Sequence, residues 1–154
     1  MPASPFSGLS ASAETTPTSA RNRFAGRIGA AVAGAINTEV RLDLPGGDTL
    51  VAVVTTASAQ ALGLAVGGRA VALVKAPWVM VAVGGGGVSA HNRLAGVVTA
   101  VSSGGGINAE VAITLAGGST VHAVVTQEAV AELGLAPGVP ACAIFQPSQI
   151  VLAV

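Results

Sequence analysis

An internal duplication constrains the fold of this chain more than any other feature of its sequence. Ser-Ala-Arg-Asn-Arg at residues 19–23 recurs as Ser-Ala-His-Asn-Arg at residues 89–93. Ile-Asn-Thr-Glu-Val at residues 36–40 recurs as Ile-Asn-Ala-Glu-Val at residues 107–111. Self-similarity of this kind marks a structural unit that has been copied. The sequence therefore predicts two tandem copies of one small domain.

The register of the repeat sets the predicted domain boundaries. The segment before the first copy is rich in Ser, Thr, Ala and Pro, and Glu14 is its only charged residue. The segment between the copies is mostly glycine, which is typical of a flexible linker. We expect a flexible tail at 1–18, a first domain at 19–83, a linker at 84–88 and a second domain at 89–154.

Within each copy the pattern is mostly that of β-strands. Residues 39–44 alternate polar and apolar side chains, as a half-buried strand does, and Pro-Gly-Gly-Asp at 45–48 predicts the turn to a return strand at 49–54. Thr55 is a candidate N-cap for a short helix at 57–62. Further strands are predicted at 24–33, 69–75 and 78–83. The predicted fold class is all-β with short helices, as two tandem OB-like five-stranded barrels.

Composition narrows the possible partners. Hydrophobic residues make up 51% of the 154-residue chain, yet no apolar run reaches the roughly 20 residues that span a bilayer, so we expect no membrane insertion. The formal net charge is zero and aromatics are 3%, which argues against nucleic-acid binding. Small barrels have thin cores, so we expect a homo-oligomer. A single cysteine and no secretory leader pattern favour a cytoplasmic location.

The order of three motifs resembles a known family. Ser-Ala-Arg-Asn at 19–22 is followed by Gly-Ala-Ile-Asn-Thr-Glu-Val at 34–40 and by Lys-Ala-Pro at 75–77. This order is similar to that of the Mop or molbindin domains, also called TOBE domains, and the resemblance extends over both copies. It implies a cytoplasmic trimer that stores molybdate or tungstate and holds the small inorganic oxyanion at interfaces between domains and subunits.

The residues of the first motif suit an oxyanion chemically. A tetrahedral dianion needs several N–H or O–H donors and one or two cations. Ser19, Arg21 and Asn22 would supply a hydroxyl, a guanidinium and an amide, and Lys75 a compact charge. The alternative is that the charges are solvated and the polar residues cap a turn. The candidate oxyanion-binding residues are Ser19, Ala20, Arg21, Asn22, Lys75, Ala76, Ser89, Ala90, His91 and Asn92.

The second copy departs from the pattern in its cations. His91 stands in the place of Arg21, and Gln-Pro-Ser at 146–148 stands in the place of Lys-Ala-Pro. An anion site there would depend on the charge of His91 and hence on pH. The alternative is that the second copy is mainly structural. For the whole chain, the corresponding alternative is a structural or interaction barrel that keeps the fold and has partly lost the site.

The remaining polar residues give no sign of catalysis. No nucleophile with a base, no paired carboxylates and no metal-ligand spacing can be proposed, so we expect neither an enzyme nor a metal site. His122 reads as a satisfied strand histidine and Cys142 as a small buried hydrophobic residue. Asn37, Glu39, Asn108 and Glu110 follow glycine-containing turns. They form either a tight turn into a strand or, as the resemblance implies, a further anion region. In the second case Glu39 would repel the anion unless it paired with a cation such as Arg41.

Overall fold

Two five-stranded antiparallel sheets, each accompanied by one short helix, make up the fold. The computed structural model describes residues 17–154, so most of the predicted tail lies outside the described residues. The predicted fold class is confirmed. In chain order the elements are β1 (Asn22–Ala33), β2 (Asn37–Asp43), β3 (Thr49–Thr55), α1 (Thr56–Leu62), β4 (Arg69–Val74), a first 3₁₀ turn (Ala76–Trp78), β5 (Met80–Ala82), β6 (Asn92–Ser103), β7 (Asn108–Leu115), β8 (Thr120–Thr126), α2 (Gln127–Leu133), β9 (Pro140–Phe145), a second 3₁₀ turn (Pro147–Gln149) and β10 (Val151–Ala153).

The two copies exchange their last strands. The strand order is β10-β4-β1-β2-β3 in the first sheet and β5-β9-β6-β7-β8 in the second. Val151 pairs with Leu73, and Met80 pairs with Ile144, so each copy completes the sheet of the other. The sequence predicted that each barrel would take its five strands from one copy. The repeat could not reveal the exchange, because the local pattern of the fifth strand is the same in either arrangement.

One hydrophobic core runs through both copies. The buried side chains of the two sheets form a single continuous cluster. Its most deeply buried large members are Phe145, Ile28, Leu42, Leu50 and Ile113. Each such side chain contributes on the order of 1.5–3 kcal/mol through its removal from water. Because one core serves both copies, we expect the two halves to unfold together.

Two buried asparagines clamp each copy to the open edge of the other sheet. The Nδ2 of Asn22 donates to the backbone oxygen of His122 at 2.8 Å, and its Oδ1 accepts from the backbone N–H of His122 at 2.7 Å. Asn92 makes the same two bonds with Val51, both at 2.8 Å. The side chains are 1% and 2% exposed. Each amide therefore stands in for a missing neighbouring strand.

The helix boundaries follow from their caps. The hydroxyl oxygen of Thr55 accepts from the backbone N–H of Ser58, which confirms the predicted N-cap. The hydroxyl oxygen of Thr126 does the same for the second helix, and Gly63 ends the first at a φ of 64°. Trp78 lies in the first 3₁₀ turn, and not in a strand as predicted, because Pro77 cannot donate to a ladder. Among the described residues no helix is long and apolar enough to cross a membrane.

Candidate functional site

The candidate residues of the first copy lie at one end of the β1–β4 ladder. The last paired residues of that ladder are Asn22 and Val74. Arg21 and Lys75 are therefore neighbours one step beyond the ladder, although they are far apart in sequence. The first 3₁₀ turn, which follows Lys75, packs against β8 of the second copy. The structure thus brings residues of the first copy together with an edge strand of the second.

Thr18 orders the segment that carries the first motif. Its hydroxyl oxygen accepts from the backbone N–H of Ala20 and from Nη1 of Arg23, each at 3.2 Å. Ser19 is exposed and Ala20 is partly buried beside it. The hydroxyl of Ser19 consequently lies at the surface, where it can reach a ligand.

Arg21 forms an ion pair that joins the two copies. Its Nε and Nη2 lie 3.1 Å and 3.0 Å from Oε1 of Glu110. The same Oε1 lies 3.2 Å from Nδ1 of His122. Glu110 is on β7 and His122 on β8, so both belong to the second copy. We call these three residues the Arg21 cluster.

His122 is the least exposed member of the Arg21 cluster. Its Nδ1 is buried, and its approach to Glu110 lacks the alignment of a hydrogen bond. Burial lowers the pKa of His122 below 6.5, and the neighbouring Arg21 guanidinium lowers it further, while Glu110 acts in the opposite direction. The ring is therefore neutral at neutral pH. His122 lies on a strand as predicted, but the expectation that it is satisfied is wrong, because its Nδ1 has no hydrogen-bond partner. The part of the chain described here holds no cluster of His, Cys, Asp or Glu able to bind a metal ion.

Lys75 is held over an aromatic ring. Its Nζ lies 5.5 Å from the ring centroid of Trp78, within the range of a cation–π contact. Ala76, which follows it, is 3% exposed and anchors the 3₁₀ turn. Within residues 17–154 no carboxylate lies within ion-pair distance of Lys75. Its charge is therefore positioned and uncompensated by an acid.

The corresponding end of the second copy holds a cavity with different chemistry. The ladder of β6 and β9 ends at Asn92 and Phe145, which places His91 beside Gln146. Ala90 is partly buried next to them. The cavity measures about 220 Å³, and it contains no residue that is charged at all pH values. Its lining consists of Val53, Ser89, His91, Gln146, Pro147 and Ser148.

The second motif forms a tight turn. The backbone N–H of Gly34 donates to the oxygen of Asn37 at 2.8 Å, and Thr56 donates to the oxygen of Ile36 at 2.7 Å. Asn108 occupies the same place in the second copy, where Gln127 donates to the oxygen of its neighbour Ile107. These bonds support the interpretation of this segment as a turn into a strand.

Two expectations about single side chains are wrong. Arg41 pairs with Asp43 through Nε and Oδ1 at 2.9 Å, and not with Glu39, although both acids lie two residues from Arg41 on the same face of β2. Cys142 is partly exposed, and not buried, although it lies on β9 as a free thiol.

Sequence reasoning missed how Glu110 and His122 relate to Arg21. Each residue can be singled out in the sequence by itself, but nothing in the local sequence links it to a residue in the other copy. The link depends on the packing of the first copy against β8. Only the equivalence of the repeat could have suggested it, because it predicts that each copy faces the other in the same way.

A family model and two curated proteins match the chain. The model is described as TOBE domain, and it matches residues 18–81 and 88–152. The molybdenum-pterin-binding protein MopA of Rhodobacter capsulatus is 44% identical over 141 residues, which cover 90% of this chain and 53% of that protein. The molybdenum transport protein ModE of Azotobacter vinelandii is 43% identical over 138 residues, covering 89% and 51%. The chain thus spans about half the length of these relatives.

A solved structure has the same fold over nearly the whole length of this chain. It is the cytoplasmic molybdate-binding protein ModG, crystallised with molybdate bound. The sequences are 48% identical, the TM-score is 0.86, and the match covers 90% of this chain and 99% of ModG. Two tandem OB-like domains are therefore common to both molecules, and the relatives compared are described as binding and transport proteins.

Proposed function

The chain belongs to the TOBE domain family, and from that premise we propose that it binds molybdate or tungstate where its two copies meet. The observation that carries the proposal is the pair of cations beyond the β1–β4 ladder. Arg21 is 54% exposed and shares a surface carboxylate, while Lys75 has no acidic partner in the described part of the chain. An anion that bridges them would be stabilised by two charge-assisted contacts.

The neighbouring residues suit a tetrahedral dianion. The exposed hydroxyl of Ser19 adds a donor at the surface. Ala76 is buried, so the backbone around it is fixed before a ligand arrives. In the second copy, Ser89, Ala90 and His91 would form a weaker site, because its only ionisable group is an imidazole. The buried amides of Asn22 and Asn92 hold the frame in place without contacting the anion.

We propose a cytoplasmic, non-catalytic storage role and a trimeric assembly. ModG is cytoplasmic and binds molybdate, which supports the first part. Large apolar side chains at the outer ends of the β1–β2 and β6–β7 hairpins support the second, because Val32, Ile36 and Ile107 are 66%, 77% and 82% exposed. Anion sites at subunit contacts are part of this proposal. Sedimentation in the analytical ultracentrifuge tests the assembly, and a monomer at micromolar concentration would remove the intersubunit sites.

Equilibrium dialysis with elemental analysis tests the proposed binding. The wild-type chain should retain molybdate after dialysis, and Arg21→Gln should retain much less because the guanidinium is lost. Arg69→Gln is the matched control, since Arg69 is also an exposed arginine but lies at the opposite end of the β1–β4 ladder. Retention of molybdate by Arg21→Gln at the wild-type level would contradict the assigned site, and no retention by the wild-type chain would contradict the function.

A purely structural role is the second candidate, and the second copy favours it for that half of the chain. The clamp of Asn92 is kept there, whereas His91 and Gln146 replace both cations. A scaffold that has lost its ligand would show this combination. The number of anions bound per chain separates the two candidates for the second copy, because a scaffold adds none.

A further inference from the structure

We infer that Glu110 is a built-in competitor for the ligand of Arg21, and that His122 receives the Glu110 carboxylate when the ligand displaces it. This inference rests on the proposed oxyanion-binding function. It gives Glu110 and His122, which belong to the second copy, a role in determining the affinity and selectivity of a site in the first. Neither residue would need to contact the anion to do so.

The geometry of the Arg21 cluster carries the inference. One carboxylate oxygen of Glu110 faces three nitrogens, two from Arg21 at 3.0 Å and 3.1 Å and one from His122 at 3.2 Å. Arg21 is half exposed, so its side chain can turn away without disturbing the core. The clamp from Asn22 holds the backbone of His122, so this part of β8 stays in place after Arg21 has moved.

Electrostatics favours the transfer of the Glu110 carboxylate from Arg21 to His122 when an anion binds. A carboxylate next to a bound dianion is unfavourable, because two like charges would share one poorly hydrated place. Burial and, after it, Arg21 lower the pKa of His122, while Glu110 raises it. When Arg21 turns to the anion, the lowering effect weakens and the raising effect remains. The ring then takes one proton from solvent at Nδ1 and forms an ion pair with Glu110, which neutralises the carboxylate.

The other charges near His122 do not replace this exchange. The elements packed against β8 include the first 3₁₀ turn, preceded by Lys75, and α2, which carries Glu128 and Glu132. Lys75 contacts Trp78, and the two helix glutamates are exposed. Within residues 17–154 the arrangement occurs once, because Val51 of the first copy stands where His122 stands in the second.

Calorimetric titration of the full chain with molybdate tests the inference. Glu110→Gln removes the competing charge and should tighten binding by about tenfold, since a like charge at this range costs on the order of 1.4 kcal/mol. Glu132→Gln on α2 is the matched control and should leave affinity unchanged. Unchanged or weaker binding by Glu110→Gln would overturn the inference, whereas a wild-type chain that binds no molybdate would refute the proposed function itself.

The proton provides a second readout that a merely structural role would not produce. Titration in two buffers of different ionisation enthalpy should show proton uptake on binding, with tighter binding at about pH 6 than at about pH 8. His122→Val, which reproduces Val51 of the first copy, should abolish that uptake while thermal unfolding confirms that the variant is folded. Equal proton uptake by the wild-type chain and His122→Val would contradict the role assigned to the histidine.

Discussion

The two ends at which the copies meet share one frame, formed by the asparagine clamps, and differ in their charges. Asn22 and Asn92 clamp opposite edge strands with the same pair of hydrogen bonds. Beyond each clamp, one copy has Arg21 and Lys75, while the other has only His91 as an ionisable group, beside an uncharged Gln146. The frame therefore does not depend on the cations. A duplicated domain of this kind can lose ligand chemistry in one half while both halves keep the same fold.

The outer faces of the two sheets also differ in charge, and the first sheet is again the more basic. In the first sheet Arg27 lies opposite Arg69 on the neighbouring strand. In the second sheet the equivalent neighbours are Val97 and Pro140. Basic residues are thus concentrated in the first copy beyond the candidate site. Because the fold is the same in both copies, folding does not require these basic residues.

Removing either clamp should have the largest effect on the molecule. Asn22→Ala and Asn92→Ala each leave a buried backbone N–H and C=O without partners, so each should lower the free energy of unfolding by about 3 kcal/mol. Asn37→Ala, at an exposed position, is the control and should change it by less than about 0.5 kcal/mol. Urea denaturation measures all three. A large effect from only one clamp would break the symmetry of the frame.

Removing the second cation should affect binding without affecting the frame. Lys75→Gln copies the second copy and should weaken molybdate binding by roughly ten- to a hundredfold, because a lost charge-assisted contact costs about 1.5–3 kcal/mol. The free energy of unfolding should stay within about 0.5 kcal/mol of the wild-type value. Calorimetry measures the affinity and urea denaturation the stability. Unchanged binding would mean that Lys75 lies outside the site.

Adding the missing cations to the second copy tests the same comparison in the opposite direction. His91→Arg combined with Gln146→Lys places both charges at the cavity of about 220 Å³ in the second copy. We expect the number of molybdate ions bound per chain to rise in equilibrium dialysis, as the two ends become chemically alike. An unchanged number would show that the neighbouring residues, and not the cations alone, distinguish the two ends.

Lowering the pH should have the smallest effect, a slight difference in stability between the wild-type chain and His122→Val. The lowered pKa of His122 means that the unfolded chain binds its proton more readily than the folded chain. Stability that depends on the neutral ring is therefore present above pH 6.5 and is lost as the pH falls from there toward the lowered value. The wild-type chain should lose slightly more stability than His122→Val over that range in urea denaturation. A larger loss in the variant would reverse the assigned sign.

The sequence predicted what depends on local pattern and missed what depends on packing. The strand alternation at β2 and the caps at Thr55 and Thr126 follow from neighbouring residues, so they were predictable. The strand exchange was not, because β5 has the same pattern whichever sheet it joins. The clamp of Asn22 and the Arg21 cluster were not predictable either. Each joins residues that only the contact between copies brings together.

Anomalous diffraction from crystals grown with tungstate tests the central claim most directly, because tungsten marks its own position. We predict a strong peak beside Arg21 and Lys75, between the first 3₁₀ turn and β8, and a weaker peak or none in the cavity beside His91. Strong peaks only at places distant from both cations, in a chain that binds tungstate in solution, would contradict the proposed site.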